Sequence, residues 1–134
     1  MNKNLFLTAS MLVNFINHKH LIIDEFKEKL LNIKKSEKTV VDNLRIKNGL
    51  IHEENYFKEL SQKYKKVKNI KILNKLSKEE KIKETNDALK KGYELIYGGW
   101  LESGNFRGEL DFLEINNNEK SNLGNWSYDI IDTK

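Results

Sequence analysis

Residues 93–115 read YELIYGGWLESGNFRGELDFLEI. The segments Tyr93–Leu101 and Phe106–Ile115 both contain the aromatic and β-branched residues that strands favour. Between them, Ser103-Gly104-Asn105 is a typical turn sequence, so we predict an antiparallel hairpin. Trp126–Asp132 predicts a third strand, and the consecutive apolar residues near its end indicate burial on both faces. The decisive part of the chain is therefore predicted to be a sheet of three strands.

The sequence before this predicted sheet has apolar residues at the spacing of helices. Apolar residues recur three and four positions apart in the segments 11–16, 21–31 and 41–65, which predicts three helices. Thr8 and Ser10 are suitable N-caps for the first of them. We expect the apolar, inward faces to consist of Met11, Leu12, Phe15, Ile16, Ile22, Ile23, Phe26, Leu30, Leu44, Leu50, Ile51, Phe57 and Leu60.

Local signals mark further boundaries. Gly49 lies inside the third helical segment, where a glycine indicates a helix break or a close approach. Ser77 and Glu80 form a capping-box pattern, which predicts a fourth helix that extends to about Lys91 and is closed by Gly92. A short strand is also predicted from Val67, Ile70 and Ile72. Helices followed by strands predict a mixed α/β domain of the α+β class.

Composition excludes several classes of protein. The chain has 134 residues, of which 38% are hydrophobic and 33% charged, as in one soluble globular domain. It has no Cys, which excludes disulfides, thiolate zinc sites and cysteine-ligated iron–sulfur clusters in this stretch. No apolar segment reaches the roughly 18 residues of a membrane span, and the start is too polar for a signal peptide. We therefore expect a cytoplasmic protein without a membrane partner.

The charge balance leaves two interpretations open. The chain carries 24 Lys and Arg against 20 Asp and Glu, a formal net charge of +4. A basic balance favours contact with phosphate backbones, such as those of DNA. A Lys-rich solvated surface explains the same composition without any nucleic-acid partner.

The residues that carry chemistry lie on the last two predicted strands. These are Gly108-Glu109-Leu110-Asp111 and, at the end of the chain, Asp132-Thr133-Lys134. Strand alternation puts Asp132 and Lys134 on one face, and Asp111 faces the same way if its strand pairs alongside. Taken alone, an Asp-x-Lys triplet is much more often a surface charge pair than part of a catalytic site.

Two carboxylates and an ammonium at a sheet end suit phosphodiester hydrolysis. Carboxylate oxygens bind Mg²⁺ or Mn²⁺, which polarise a phosphoryl oxygen and activate water, and a Lys stabilises the transition-state charge. His52, on the third predicted helix, is a further candidate ligand, although a partly exposed polar His is the alternative. Glu53 beside it is either part of the site or a charge on the helix surface.

The order of these motifs resembles the RecB-like nucleases of the PD-(D/E)xK superfamily. More narrowly, the chain is similar to the N-terminal domain of bacterial RecB-like nucleases that carry a ribonuclease-H-like exonuclease domain downstream. The similar stretches are Leu7–Ser10, Gly49–Glu53, Ala88–Gly92, Ile96-Tyr97, Gly108–Leu113, Leu123-Gly124, Trp126–Tyr128 and Asp132–Lys134. They extend over nearly the whole chain, and the last of them joins a loop signature directly to the Asp-x-Lys triplet.

The resemblance implies a fold and its boundaries. The fold is a restriction-endonuclease-like αβββ(αβ) core with N-terminal helices, of which the last αβ lies beyond this sequence. Residues 1–134 would then be the N-terminal part of one RecB-like nuclease domain, with a helical lead-in over 1–40 and the nuclease core over 41–134. Further domains would follow. Because a helix over the sheet would be missing, we expect residues 1–134 alone to be a marginal fold and a poor nuclease.

The resemblance also implies a ligand set and an activity. His52, Asp111, Asp132 and the backbone carbonyl of Thr133 would bind Mg²⁺ or Mn²⁺. Asp111, Asp132 and Lys134 would be the catalytic residues, and Glu53 would act behind the ligands or on the substrate side. Some relatives hold an iron–sulfur cluster through cysteines, but Asn17 and His18 stand near the position where such a Cys would lie. We therefore expect no cluster from these residues.

The expected function is that of an enzyme, a metal-dependent deoxyribonuclease that hydrolyses DNA phosphodiester bonds. It would be an exonuclease on single strands or DNA ends, in the function class of DNA repair. The alternative is a catalytically inactive fragment, or a nucleic-acid-binding module, that keeps the nuclease fold.

Overall fold

The structure, a computed structural model, describes residues 6–33 and 36–133, apart from the side chains of Leu21 and Ile22. Lys134, the predicted catalytic lysine, lies outside the described residues. Within these ranges the helices and strands follow in the order α1 (Ala9–Asn17), α2 (Lys19–Leu31), α3 (Val40–Ser61), β1 (Val67–Asn69), α4 (Lys78–Lys90), β2 (Leu95–Ser103), β3 (Phe106–Asn116) and β4 (Ser127–Ile131).

The four strands form one mixed sheet in the order β1-β2-β3-β4. β1 is parallel to β2, whereas β2 pairs with β3 and β3 pairs with β4 in antiparallel orientation. Ser103 pairs with Phe106 across the predicted turn, where Gly104 has a φ of 57°. The α+β class and the hairpin are therefore confirmed, and the short predicted strand adds a parallel edge to the sheet.

Both faces of the sheet carry a core. Alternate residues of β2 belong to different clusters: Ile96 packs on the face of α4, and Leu95 and Tyr97 pack on the face of α3. The α4 cluster consists of Ile70, Ala88, Leu89, Ile96 and Leu113. On the α3 face, the Tyr97 ring lies between those of Phe57 and Phe112, at centroid distances of 4.6 Å and 4.9 Å. Tyr97 and Phe112 are thus core residues, whereas Trp100 is partly exposed and Phe106 is exposed.

The alternation is interrupted at the middle of the hairpin. Tyr97 pairs with Phe112 and Gly99 with Leu110, so Gly98 stands opposite Asp111. Gly98 has a φ of 68°, a conformation that glycine adopts without the steric penalty other residues meet. Beyond it the faces exchange: a Cβ on Gly99 would meet the side chains of Leu113 and Ile96, which lie on the α4 face. This interruption positions the candidate site.

The predicted caps are present. The Ser77 hydroxyl accepts from the Glu80 N–H, and the Glu80 carboxylate accepts from the Ser77 N–H, so the capping box opens α4. Gly92 has a φ of 62° just beyond the end of α4. Thr8 caps α1 by accepting from the Met11 N–H. Local sequence therefore predicted where these helices begin and end.

The predicted inward faces of the N-terminal helices are largely wrong. Met11 is fully buried, but several of the other expected core residues are exposed. These are Leu12, Phe15, Ile16, Ile23, Leu30, Leu44, Leu50 and Ile51. In the described part of the chain, α3 contributes to the core through its second half, by Phe57 and Leu60. Ile22 was also expected to face inward, but its side chain lies outside the described residues.

Two boundaries also differ from expectation. α3 continues through Gly49, where an added Cβ would meet nothing within 4 Å, and it ends at Ser61 and not near Lys65. The glycine marks neither a break nor a close approach, because this part of the helix is exposed on every side. β1 ends at Asn69, so the predicted strand residues Ile70 and Ile72 lie beyond it.

Candidate functional site

The predicted carboxylate strand meets the end of β4. Both the backbone N–H and the hydroxyl of Thr133 donate hydrogen bonds to Asp111 Oδ2, at 2.9 Å each. Asp132 lies next to Asp111, close enough for its side chain to help lower the pKa of the Asp111 carboxyl. Asp111, Asp132 and Thr133 therefore lie together, because β3 and β4 pair and the chain leaves β4 beside the interrupted position of β3.

Hydrogen bonding favours the charged form of Asp111. Burial alone would raise the pKa of this carboxyl. The two Thr133 hydrogen bonds and the contact with Asp132 outweigh burial, so the pKa of Asp111 lies below its ordinary value of 3.8. The nearby charge of Lys71 acts in the same direction. The site thus presents an ionised Asp111 next to the more exposed Asp132.

A lysine lies between two glutamates beside this pair. Lys71 Nζ is 3.0 Å from Glu53 Oε1 on α3 and 2.9 Å from Glu109 Oε1 on β3. Glu53 is buried, whereas the side chain of Glu109 is 38% exposed. Burial alone would lower the pKa of Lys71, but its contacts with Glu109 and Glu53 raise the pKa above its ordinary value. The ammonium therefore remains charged and neutralises two of the carboxylates at this end of the sheet.

Gly98 makes room for this lysine. A Cβ at Gly98 would lie 3.0 Å from the Cβ, Cδ and backbone N of Lys71. The Lys71 ammonium also lies 5.9 Å from the centre of the Tyr97 ring. The glycine opposite Asp111 therefore lets the segment after β1 pack over the sheet and bring a cation to the acidic cluster.

Glu53 Oε1 and the Tyr97 hydroxyl are buried polar atoms beside Lys71. The Lys71 ammonium lies 3.0 Å from Glu53 Oε1, whereas the Tyr97 hydroxyl has no hydrogen-bond partner within the described residues. Burial, followed by the negative charge of Glu53, raises the pKa of Tyr97 to about 12. Buried polar groups with incomplete hydrogen bonding are rare in folded proteins and need an explanation, such as a functional role.

The structure does not gather the whole predicted ligand set. His52 is exposed on α3, although the adjacent Glu53 is buried in the site. Among residues 6–33 and 36–133, no group of three or more His, Cys, Asp or Glu side chains is arranged to hold a metal ion. The structure thus brings Asp111 and Asp132 together but does not add His52 to them. The metal-binding roles of these three residues stay predictions.

Sequence reasoning missed Lys71 and the position of Glu109. Lys71 belongs to no motif, and many other lysines in the chain have the same local setting. The one available signal was the Gly98-Gly99 pair inside a strand, since glycine in a strand often marks a close backbone approach. That signal indicates that something packs over the strand but does not identify the lysine.

No helix in the described ranges combines the length and the apolar character needed to cross a membrane. Comparisons of the chain with models of protein families, with curated proteins and with solved structures found no match.

Proposed function

We propose that this protein is a divalent-metal-dependent nuclease that hydrolyses DNA phosphodiester bonds. One observation carries the proposal: Asp111 on β3 and Asp132 after β4, distant in sequence, lie side by side where Thr133 donates to Asp111. Two neighbouring carboxylates are oxygen donors of the kind that bind the metal ions used in phosphodiester hydrolysis. The resemblance to RecB-like nucleases of the PD-(D/E)xK superfamily supports the same function.

The donors at this site fit Mg²⁺ or Mn²⁺. Carboxylate and carbonyl oxygens are the ligands these cations prefer, and the lowered pKa of Asp111 keeps its carboxylate ionised at neutral pH. When bound, the cation would polarise the phosphoryl oxygen and lower the pKa of a coordinated water. In this proposal Asp111, Asp132 and the Thr133 carbonyl hold it, with His52 as a further ligand.

The remaining residues adjust charge around those ligands. Thr133 fixes the orientation of Asp111 through two hydrogen bonds to a single oxygen, which leaves Oδ1 outside that pair of contacts. Lys71 neutralises Glu53 and Glu109, so fewer uncompensated negative charges face an incoming phosphate. Lys134 follows Thr133 directly, and its proposed role is to stabilise negative charge on the phosphoryl group in the transition state.

DNA is the proposed substrate, and hydrolysis from a single-stranded end is the proposed mode. The formal net charge of +4 favours a polyanionic partner. A role in DNA repair and a cytoplasmic location belong to the same proposal.

The second candidate is a nucleic-acid-binding module without turnover. The observation that favours it is the Lys71 ammonium, which already occupies a position between two of the acidic side chains. Such a module would bind DNA with or without Mn²⁺ and would never cleave it.

Cleavage of an end-labelled single-stranded oligonucleotide in Mn²⁺ tests the proposal. Asp111→Asn should lower the rate by about 10²-fold or more, because it removes a charged ligand at the reacting phosphate. Asp129→Asn is the matched control, since Asp129 is an exposed β4 residue whose carboxylate accepts from Asn116. Equal rates of cleavage by both variants would contradict the nuclease. Binding without cleavage would support the module.

A further inference from the structure

A surface cavity lies next to the acidic cluster, which consists of Asp111, Asp132, Glu53 and Glu109. It has a volume of about 440 Å³ and is enclosed by the start of α1, by α2, by the start of α4 and by β2–β3. This volume falls within the range of about 300–1,000 Å³ that is usual for ligand sites. Lys29, Lys78, Trp100, Arg107 and Glu109 contribute the charged and aromatic parts of its wall.

The cations in this wall differ in how strongly they are already paired. Arg107 is held by Glu79 at 2.9 Å and by Glu102 at 2.6 Å, so its charge is compensated within the protein. Lys29 has a long ion pair of 3.7 Å with Glu25 and donates to Met11 Sδ at 3.3 Å, so no carboxylate is held closely by it in these contacts. Lys78 lies over the Trp100 ring, with its ammonium 5.4 Å from the ring centre. Lys29 and Lys78 are therefore the cations best able to accept an external anion.

Trp100 provides an aromatic surface at a fixed position. It is partly exposed, and its backbone N–H donates to the buried Thr85 hydroxyl at 2.9 Å, which ties this part of β2 to α4. An indole next to lysines is the combination with which proteins bind single-stranded nucleic acid. The base stacks on the ring, and the phosphate meets the cation. A paired base in a duplex does not offer its face in this way.

We propose that this cavity binds an unpaired nucleotide of single-stranded DNA, with its base on Trp100 and a phosphate at Lys78 and Lys29. The choice of DNA rests on the proposed function. Glu109 links this cavity to the acidic cluster, because it lines the cavity and its carboxylate also contacts Lys71. A strand with one nucleotide in the cavity therefore lies next to the proposed reaction site.

Tryptophan fluorescence, measured with an oligothymidylate in EDTA so that no cleavage occurs, tests the proposal. The chain has 2 Trp, and Trp126→Phe leaves Trp100 as the only indole, which the bound strand should quench. With affinity measured by anisotropy of a labelled strand, Trp100→Leu should weaken binding by about 5- to 150-fold, the usual loss on removal of one stacking residue.

Lys78→Gln gives a second measure that does not depend on an aromatic residue of a strand. It should weaken binding and reduce the salt dependence of log Kd by about 0.7, the value for one phosphate contact with a single strand. Lys83→Gln is the control, because Lys83 is exposed on the same helix and does not line the cavity. Circular dichroism of each variant verifies that the fold is retained.

Three results would overturn the cavity proposal: unchanged affinity in Trp100→Leu, equal losses in Lys78→Gln and Lys83→Gln, or equally tight binding of a blunt duplex. Failure of the proposed nuclease gives a different pattern. In that case binding in EDTA still depends on Trp100 and Lys78, but added Mn²⁺ produces no cleavage. Cleavage that depends on Asp111 but not on Trp100 would reject the cavity proposal and leave the nuclease proposal standing.

Discussion

The sheet with α4 and the N-terminal helices both contain regularly spaced apolar residues but differ in how far those residues are covered. In the sheet, Leu95, Ile96 and Phe112 are fully buried between two helices. In α1, Leu12 and Ile16 are 54% and 71% exposed, although they have the spacing of a core-facing helix. Periodicity therefore predicts that a helix forms, whereas burial depends on a partner surface that periodicity does not specify.

The N-terminal helices are supported by local interactions. Thr39 opens α3 with a capping box, in which its hydroxyl accepts from the Asp42 N–H and the Asp42 carboxylate accepts from the Thr39 N–H. Such caps contribute about 1 kcal/mol without any tertiary contact. The sheet instead depends on pairings between residues far apart in sequence. We therefore expect substitutions to have large effects in the sheet and small effects in the N-terminal helices.

The largest contrast should come from two phenylalanines. Phe112→Ala removes a fully buried ring that stacks on Tyr97, and it should lower the free energy of unfolding by about 3–5 kcal/mol. Phe15→Ala removes a ring that is 43% exposed and should cost about 1 kcal/mol or less. Urea denaturation of both variants measures the difference. Similar losses would mean that α1 packs as tightly as the sheet.

The next contrast concerns two ion pairs. Lys71→Met leaves the buried Glu53 without its cation and should destabilise the fold by about 2 kcal/mol, less than for a fully buried pair because Lys71 is partly exposed. Lys68→Met breaks a pair with Glu84, whose side chain is 39% exposed, and should cost about 0.5 kcal/mol. Thermal unfolding of the two variants compares them. An unchanged thermal stability of the Lys71→Met variant would show that Glu53 is not held by this lysine.

Substitution of two glycines by alanine should change the stability of the fold in opposite directions. Gly98→Ala forces a φ of 68° on alanine and places its Cβ 3.0 Å from Lys71, so it should destabilise the sheet by at least about 1 kcal/mol. Gly49→Ala adds a methyl group in open space inside α3 and should stabilise the helix by up to about 1 kcal/mol. Denaturation midpoints that shift in the same direction would contradict the assigned environments.

Three tyrosine hydroxyl groups should affect the stability of the fold very little at neutral pH but clearly in alkaline solution. The pKa of Tyr64 is raised to about 12 by its hydrogen bond to Glu114, and burial raises the pKa of Tyr97 and Tyr128 to about 12. Raised values mean that the stability these phenols contribute is complete below about pH 10 and is lost as pH rises through about 12. Ionisation of these three phenols, followed for each residue by the NMR signals of its ring carbons, should therefore coincide with the loss of circular dichroism. Ionisation of the three near pH 10 without unfolding would contradict the hydrogen bond of Tyr64 and the burial of Tyr97 and Tyr128.

These contrasts show what the sequence could and could not predict. Turn and capping residues such as Gly104 and Ser77 act through neighbours in sequence, so the hairpin and α4 were predictable. The pairing of β3 with β4 follows from the strand pattern and brings Asp111 to Thr133. Lys71 reaches the same site because Gly98 interrupts β2 and leaves room for it. Folding alone brings these two residues together, so no sequence motif reveals the contact.

The side of α3 that faces the sheet also could not be predicted from the local sequence. His52 and Glu53 are adjacent on this helix, and only tertiary packing decides which of them faces the sheet. The resemblance favours His52 as the ligand, whereas the structure buries Glu53 against Lys71. A helix offers neighbouring residues to different faces, so its rotation decides which side chain enters the site.

The most direct test of the account is a Mn²⁺ titration followed by electron paramagnetic resonance. The central claim is that Asp111 and Asp132 hold a catalytic cation, so the parent chain and the Asp129→Asn control should bind one Mn²⁺ with the same affinity. Asp111→Asn should lose that binding, because it replaces an ionised oxygen ligand by a neutral amide. Identical titrations of the parent and Asp111→Asn would contradict the claim.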